Sequence, residues 1–245
     1  NAFEELDDYG LIARKKHLKR KLFDIVADQT GKLFDPDVLT IVWARRFTEY
    51  KRPRLIKKDM EKFRELVTRG YQPIQVIWAG KPHPADTGGI NVFNELVYTT
   101  KDLKRCAVLV GYELELSAHL KKGADIWLNT PRAPREASGT SGMSAAMNGA
   151  INFSINDGWH AEFERHGINC FTIQPSTAKD PEAQDIEDNK TLMRILEEEI
   201  IPIYYEDQPR WIEIMKNSMI DVVPYFDTGR MANEYYEKLY NYEME

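Results

Sequence analysis

The stretch Val38-Leu39-Thr40-Ile41-Val42-Trp43-Ala44 is almost continuously apolar and runs straight into Arg45-Arg46. A strand with one wet face would alternate apolar and polar residues. An unbroken run of this length reads as a strand covered on both faces, the situation of a parallel sheet between two helical layers. The signature returns at 74–80, 106–110 and 125–129, and in shorter form at 150–155 and 168–172. Helical patterns fall between these runs. Leu18, Leu22, Ile25 and Val26 follow an i, i+4, i+7, i+8 spacing, and Pro53 opens a helical stretch to about Arg69, as proline does in a first turn. Strands alternating with helices imply βαβ units and an α/β, doubly wound, Rossmann-like parallel sheet. Such sheets bind ligands outside the carboxyl ends of their strands.

From about Asn189 the pattern is helical. Leu192, Leu196 and Ile200 form one stripe, and Tyr235, Tyr236, Leu239 and Tyr240 another; both read as packing surface. A chain of 245 residues can build one large α/β domain. The expectation is a single domain over 1–245, with 189–245 as a helical tail packed on it. Asn1-Ala2 ahead of Phe3 reads as an expression scar on a fragment cut from a longer protein.

The net charge of −6 argues against a general nucleic-acid binder, and no apolar run approaches the roughly 20 residues that span a bilayer. Cys106 and Cys170 each sit in an apolar run, which suits buried thiols in a reduced, cytoplasmic protein. The five histidines show no metal-ligand spacing, so no metal is expected.

Two constellations carry chemistry. Residues 45–58 hold seven basic side chains and one acid in an otherwise acidic protein. They begin where a buried strand ends and a helix is expected to start, a place that favours anions; arginine offers phosphate a planar fork and lysine a point charge. The second is Glu136-Ala137-Ser138-Gly139-Thr140-Ser141-Gly142-Met143-Ser144-Ala145-Ala146-Met147-Asn148-Gly149. Its glycines let backbone N–H groups approach a ligand, its hydroxyls add donors, and Glu136 offers sugar hydroxyls an acceptor. It is neither a P-loop nor a dinucleotide fingerprint. Gly80-Lys81-Pro82-His83-Pro84 and the turn at Asn156-Asp157-Gly158 are weaker signals.

Together these stretches resemble the glycogen/starch/α-glucan phosphorylase family, in its bacterial and archaeal short form. Arg46-Phe47-Thr48-Glu49-Tyr50-Lys51-Arg52 is similar to that family's R-x-x-E-Y-K-R signature, and the stretch from Glu136 to Gly149 to its cofactor motif. Gly80-Lys81-Pro82-His83-Pro84 and Asp125-Ile126-Trp127-Leu128-Asn129-Thr130-Pro131 resemble family elements in the same order, from about Leu11 to Tyr242. The resemblance implies the C-terminal domain of a GT-B glycosyltransferase, whose partner is the N-terminal domain of the same protein. It implies transfer of a terminal α-1,4 glucose from α-glucan to phosphate, giving glucose 1-phosphate with retention, and pyridoxal 5′-phosphate as cofactor. Arg46 and Lys51 would bind substrate and cofactor phosphates, with Arg45 nearby. Gly139 and Thr140 would hold the cofactor phosphate, Tyr112 would lie beside the cofactor, and Glu136, Ser138 and Gly139 would bind the transferred glucose. The fragment alone would be inactive, and its exposed interdomain face would favour self-association.

One position departs from the pattern. Ser144 stands where the family has its Schiff-base lysine, and residues 141–150 contain no lysine. Serine cannot form an imine. Three readings stay open: a phosphorylase that has lost the covalent tether, a retaining α-glucan synthase using a sugar nucleotide, and a non-catalytic protein that binds glucan or sugar phosphate.

Overall fold

In the computed structural model, residues 7–241 are described. The reading of Asn1-Ala2 as a scar, and Tyr242 at the end of the family resemblance, lie outside them. The element order is α1 (Asp8–Thr30), β1 (Leu39–Ala44), α2 (Met60–Thr68), β2 (Ile74–Ala79), α3 (Thr87–Thr100), β3 (Cys106–Leu109), α4 (Leu114–Gly123), β4 (Ile126–Asn129), α5 (Thr140–Ala146), β5 (Ile151–Ile155), α6 (His160–Phe163), β6 (Cys170–Ile173), α7 (Pro181–Ile195), α8 (Ile201–Glu206), α9 (Gln208–Phe226) and α10 (Thr228–Tyr235). Short π-helical turns follow α7 and α10.

The six strands form one all-parallel sheet in the order β3-β2-β1-β4-β5-β6. The order reverses between β1 and β4, so the loops leaving the carboxyl ends of those two strands lie side by side at the switch point. Every residue of β1 and β2 is buried, because helices cover both faces. Alternate β1 side chains divide between two cores: Leu39, Ile41 and Trp43 pack with α2, α7 and α9, while Val42 and Ala44 pack with α1, α4 and Ala145 of α5.

Two expectations need correcting. No helix opens at Pro53. Arg52 is left-handed (φ 45°), and two 3₁₀ turns, Glu49–Lys51 and Leu55–Lys57, occupy the segment. The helix starts only after Asp59, whose carboxylate caps it by accepting from Lys62 N at 3.0 Å. The second concerns the tail stripes. Leu192, Leu196 and Ile200 are core residues as expected, but Tyr235, Tyr236, Leu239 and Tyr240 are each more than half exposed.

Candidate functional site

The site grows from the β1–β4 juxtaposition. After β4, Thr130 accepts from Trp43 Nε1 at 3.1 Å and donates to the Lys51 and Arg52 carbonyls at 2.9 Å. Arg132 N donates to Tyr50 O at 2.7 Å. These bonds stitch the chain after β1 to the chain after β4, and they bring Glu136 to Arg45 and Lys51. Arg45 Nη1 and Lys51 Nζ each lie 3.2 Å from Glu136 Oε2, with side-chain exposures of 7%, 12% and 11% for the two cations and the acid. Two shielded cations thus share one carboxylate. Burial lowers the Arg45 guanidinium from its ordinary value, and Glu136, followed by Tyr50 and Tyr112, opposes that drop. Arg45 Nε is buried with no hydrogen-bond partner, as is Thr48 Oγ1. A buried, unpaired guanidinium N–H is a donor with capacity for an incoming acceptor.

The Glu136–Thr140 loop is held from below by the turn after β5. Asp157 Oδ2 accepts from Glu136 N at 3.0 Å, Asp157 Oδ1 accepts from Gly158 N at 2.9 Å, and Trp159 N donates to Ser138 O at 2.9 Å. Gly158 is obligatory there: its φ is +59°, and a Cβ would sit 2.4 Å from Ser138 O. Gly139 is also left-handed, at φ +91°, and a Cβ on it would stand 3.6 Å from Arg45 Nη2. Ser138 and Thr140 are exposed beside it.

The structure therefore groups Arg45, Lys51, Glu136 and Gly139. Tyr112 joins them from the end of β3: its hydroxyl lies 3.4 Å from Ala44 O, and its ring packs on the core under β1. Arg46 is exposed and, among the described residues, makes no hydrogen bond or ion pair; it is not drawn into the Glu136 cluster. The rest of the basic run is spent elsewhere. Arg52 is buried on Asp185 and Asp188 at 2.9 and 2.7 Å, Arg54 and Lys57 pair with Glu95, and Lys58 pairs with Glu182. Most of these residues border a cleft of about 500 Å³, where each of these cations is held in an ion pair.

Ser144 is half-buried on α5, and its hydroxyl donates back into its own helix, to Thr140 O (3.3 Å) and Ser141 O (3.2 Å). Among the described residues, no group of three or more His, Cys, Asp or Glu side chains is placed to hold a metal, and no helix is long and apolar enough to cross a membrane. Sequence reasoning passed over Asp157 as a brace and Thr130 as a stitch. The Asn156-Asp157-Gly158 turn composition was the available signal for the first; nothing local signals the second.

Fold and site together define a Rossmann-like domain with a shielded Arg45–Glu136–Lys51 cluster at the β1/β4 switch point. The comparison with known proteins gives this class a family. The carbohydrate phosphorylase family model matches residues 8–200, and the chain belongs to that family. An uncharacterised protein of Methanocaldococcus jannaschii is 49% identical over 240 residues, covering 98% of this chain and 44% of that protein. The maltodextrin phosphorylase of Thermococcus litoralis is 40% identical over 254 residues (97% and 30%), and the glycogen phosphorylase of Aquifex aeolicus 37% over 237 (94% and 34%). The chain thus spans less than half the length of these relatives.

Proposed function

We propose that this chain is the C-terminal, phosphate-side half of a GT-B hexosyltransferase that moves the terminal α-1,4 glucose of an α-glucan onto phosphate. The observation that carries the reading is the shielded Arg45–Glu136–Lys51 cluster at the switch point of a phosphorylase-family sheet. As the glycosidic bond breaks, the sugar gains positive character, and phosphate gives a proton to the leaving oxygen. Arg45 and Lys51, fixed and partly desolvated, stabilise the phosphate through that change without reorganising. Arg46, exposed and without a partner among the described residues, adds a third cation for the same phosphate. Backbone N–H groups at Gly139, with Ser138 and Glu136, hold the hydroxyls of the transferred glucose. The acceptor side of the cleft belongs to sequence present in the longer relatives, so the chain alone does not turn over. The two buried, free thiols, Cys106 and Cys170, agree with a cytoplasmic protein.

The family's pyridoxal 5′-phosphate meets a divided fit. Its phosphate would find Arg45 Nε without a partner, and no Cβ at Gly139 to block it. Its aldehyde would find Ser144, which forms no imine. No catalytic step is assigned through that group. The same departure supports a second reading, in which a sugar nucleotide places its phosphates on Arg45 and Lys51. The test is product formation by the full-length protein given α-glucan and phosphate, or α-glucan and a nucleotide sugar. Glucose 1-phosphate from the first supports phosphorolysis, glucan elongation only from the second supports the synthase, and neither product leaves binding without turnover.

A further inference from the structure

Ser144 is more than a missing lysine. Its hydroxyl is occupied within α5, and no lysine occurs between Lys122 and Lys179, so the whole segment carrying the Gly139 loop lacks an amine. Lys51 reaches the loop from another element, and its amine is engaged on Glu136. Converting Lys51 to an imine would also take its ammonium group away from Glu136.

The phosphate end itself is intact. Arg45 and Lys51 set two positive charges against the one carboxylate of Glu136, a difference of one, and the exposed Arg46 stands outside that cluster. Asp157 turns both oxygens to backbone N–H groups. A phosphate ester, which carries at least one negative charge near neutral pH, would meet that excess and supply Arg45 Nε with the acceptor it lacks.

We infer that this site holds a phosphate ester reversibly, by charge and hydrogen bonds alone, with no covalent bond to the chain. The inference rests on the reading of Arg45, Lys51 and Glu136 as an anion site. It makes the bound molecule exchangeable: a ligand without a tether leaves on dialysis, weakens with salt and competes with free phosphate.

The experiment uses the full-length protein and three probes: pyridoxal 5′-phosphate, glucose 1-phosphate and a uridine diphosphate sugar. Calorimetry in the presence and absence of inorganic phosphate is expected to show saturable binding of at least one probe, weakened by competing phosphate and reversed by dialysis. The probe that binds most tightly identifies the ester the site accepts. Arg45→Met is expected to lower that affinity about tenfold to hundredfold, the loss of a charge-assisted hydrogen bond. Borohydride treatment after incubation with pyridoxal 5′-phosphate is expected to leave the wild-type mass unchanged, whereas Ser144→Lys gains one pyridoxyl group at that position. A stoichiometric adduct on a single lysine of the wild type overturns the inference while leaving the anion site standing. Failure of every probe and of inorganic phosphate to bind overturns the anion-site reading itself. A Ser144→Lys protein that folds, by its circular dichroism, yet takes no adduct shows that the site has lost more than its tether.

Discussion

Glu136→Gln is the substitution whose outcome the site geometry fixes most closely. The change keeps the side chain's shape and removes its charge. Glu136 Oε2 stands 3.2 Å from both Arg45 Nη1 and Lys51 Nζ. At an effective dielectric constant of about 20, each contact has a gross Coulomb attraction of about 5 kcal/mol. Most of that gross figure is offset, because the carboxylate no longer has to be desolvated and glutamine still offers one acceptor. What stays behind is a pair of like charges with no counter-charge, one of them on a buried arginine. The expected net loss is about 3 kcal/mol, the low end of the cost of breaking a buried ion pair. Urea unfolding followed by circular dichroism in a chloride buffer measures it. Inorganic phosphate then supplies the second half of the test. In the variant it replaces the lost negative charge, and at about a hundred times its dissociation constant it returns about 2.7 kcal/mol. In the wild type it must compete with Glu136 and stabilises less. A variant as stable as the wild type in chloride would refute the shielding argument, and a loss that phosphate leaves untouched would refute the anion site.

Three further predictions come from neighbouring features. His160 is buried, its Nε2 shares a 3.0 Å hydrogen bond with Thr172 Oγ1, and burial lowers its pKa to about 3. Unfolding therefore takes up a proton between that value and about 6.5: stability is complete above pH 6.5 and falls by about 2 kcal/mol on going to pH 5. His160→Gln should remove that part of the acid sensitivity, read as the difference between urea midpoints at the two pH values. Burial pushes the Cys106 and Cys170 thiols up to about 12, so a thiol reagent at neutral pH should label neither in the folded protein and both once urea has unfolded it. Gly139→Ala places a Cβ in a left-handed residue and 3.6 Å from Arg45 Nη2; it should cost about 1 kcal/mol in unfolding experiments and weaken phosphate binding measured by calorimetry about tenfold.

The parts of the fold legible in the sequence were those decided locally. β1 and β2 announce themselves because burial on both faces leaves no polar alternation, and the cations after β1 are conspicuous because a charge ending a buried strand has few harmless places to go. The strand order was not legible, since it depends on which strands meet. Nor was the fate of the basic run. Arg45 and Arg52 look alike in the sequence, but Arg52 meets Asp185 and Asp188 on α7, more than 130 residues away, and becomes a structural charge. Arg54 and Lys57 are likewise claimed by Glu95 on α3. The expected helix at Pro53 gave way because Arg52 turns left-handed to place its guanidinium on the Thr130 and Pro131 carbonyls, at 3.0 and 2.8 Å. Glu136 could be singled out by its motif, whereas its dependence on Asp157 required the β5 turn to be seen beneath the loop.

The central claim is that Arg45 and Lys51 hold a phosphate whose chemistry cleaves an α-glucan. The most direct measurement is glucose 1-phosphate release from α-1,4-glucan by the full-length protein in inorganic phosphate, with the wild type and Lys51→Met compared side by side. The account predicts release that saturates with phosphate in the wild type and falls by at least about a hundredfold in the variant. No release from a folded, phosphate-binding wild type, or release that Lys51→Met leaves unchanged, would contradict it.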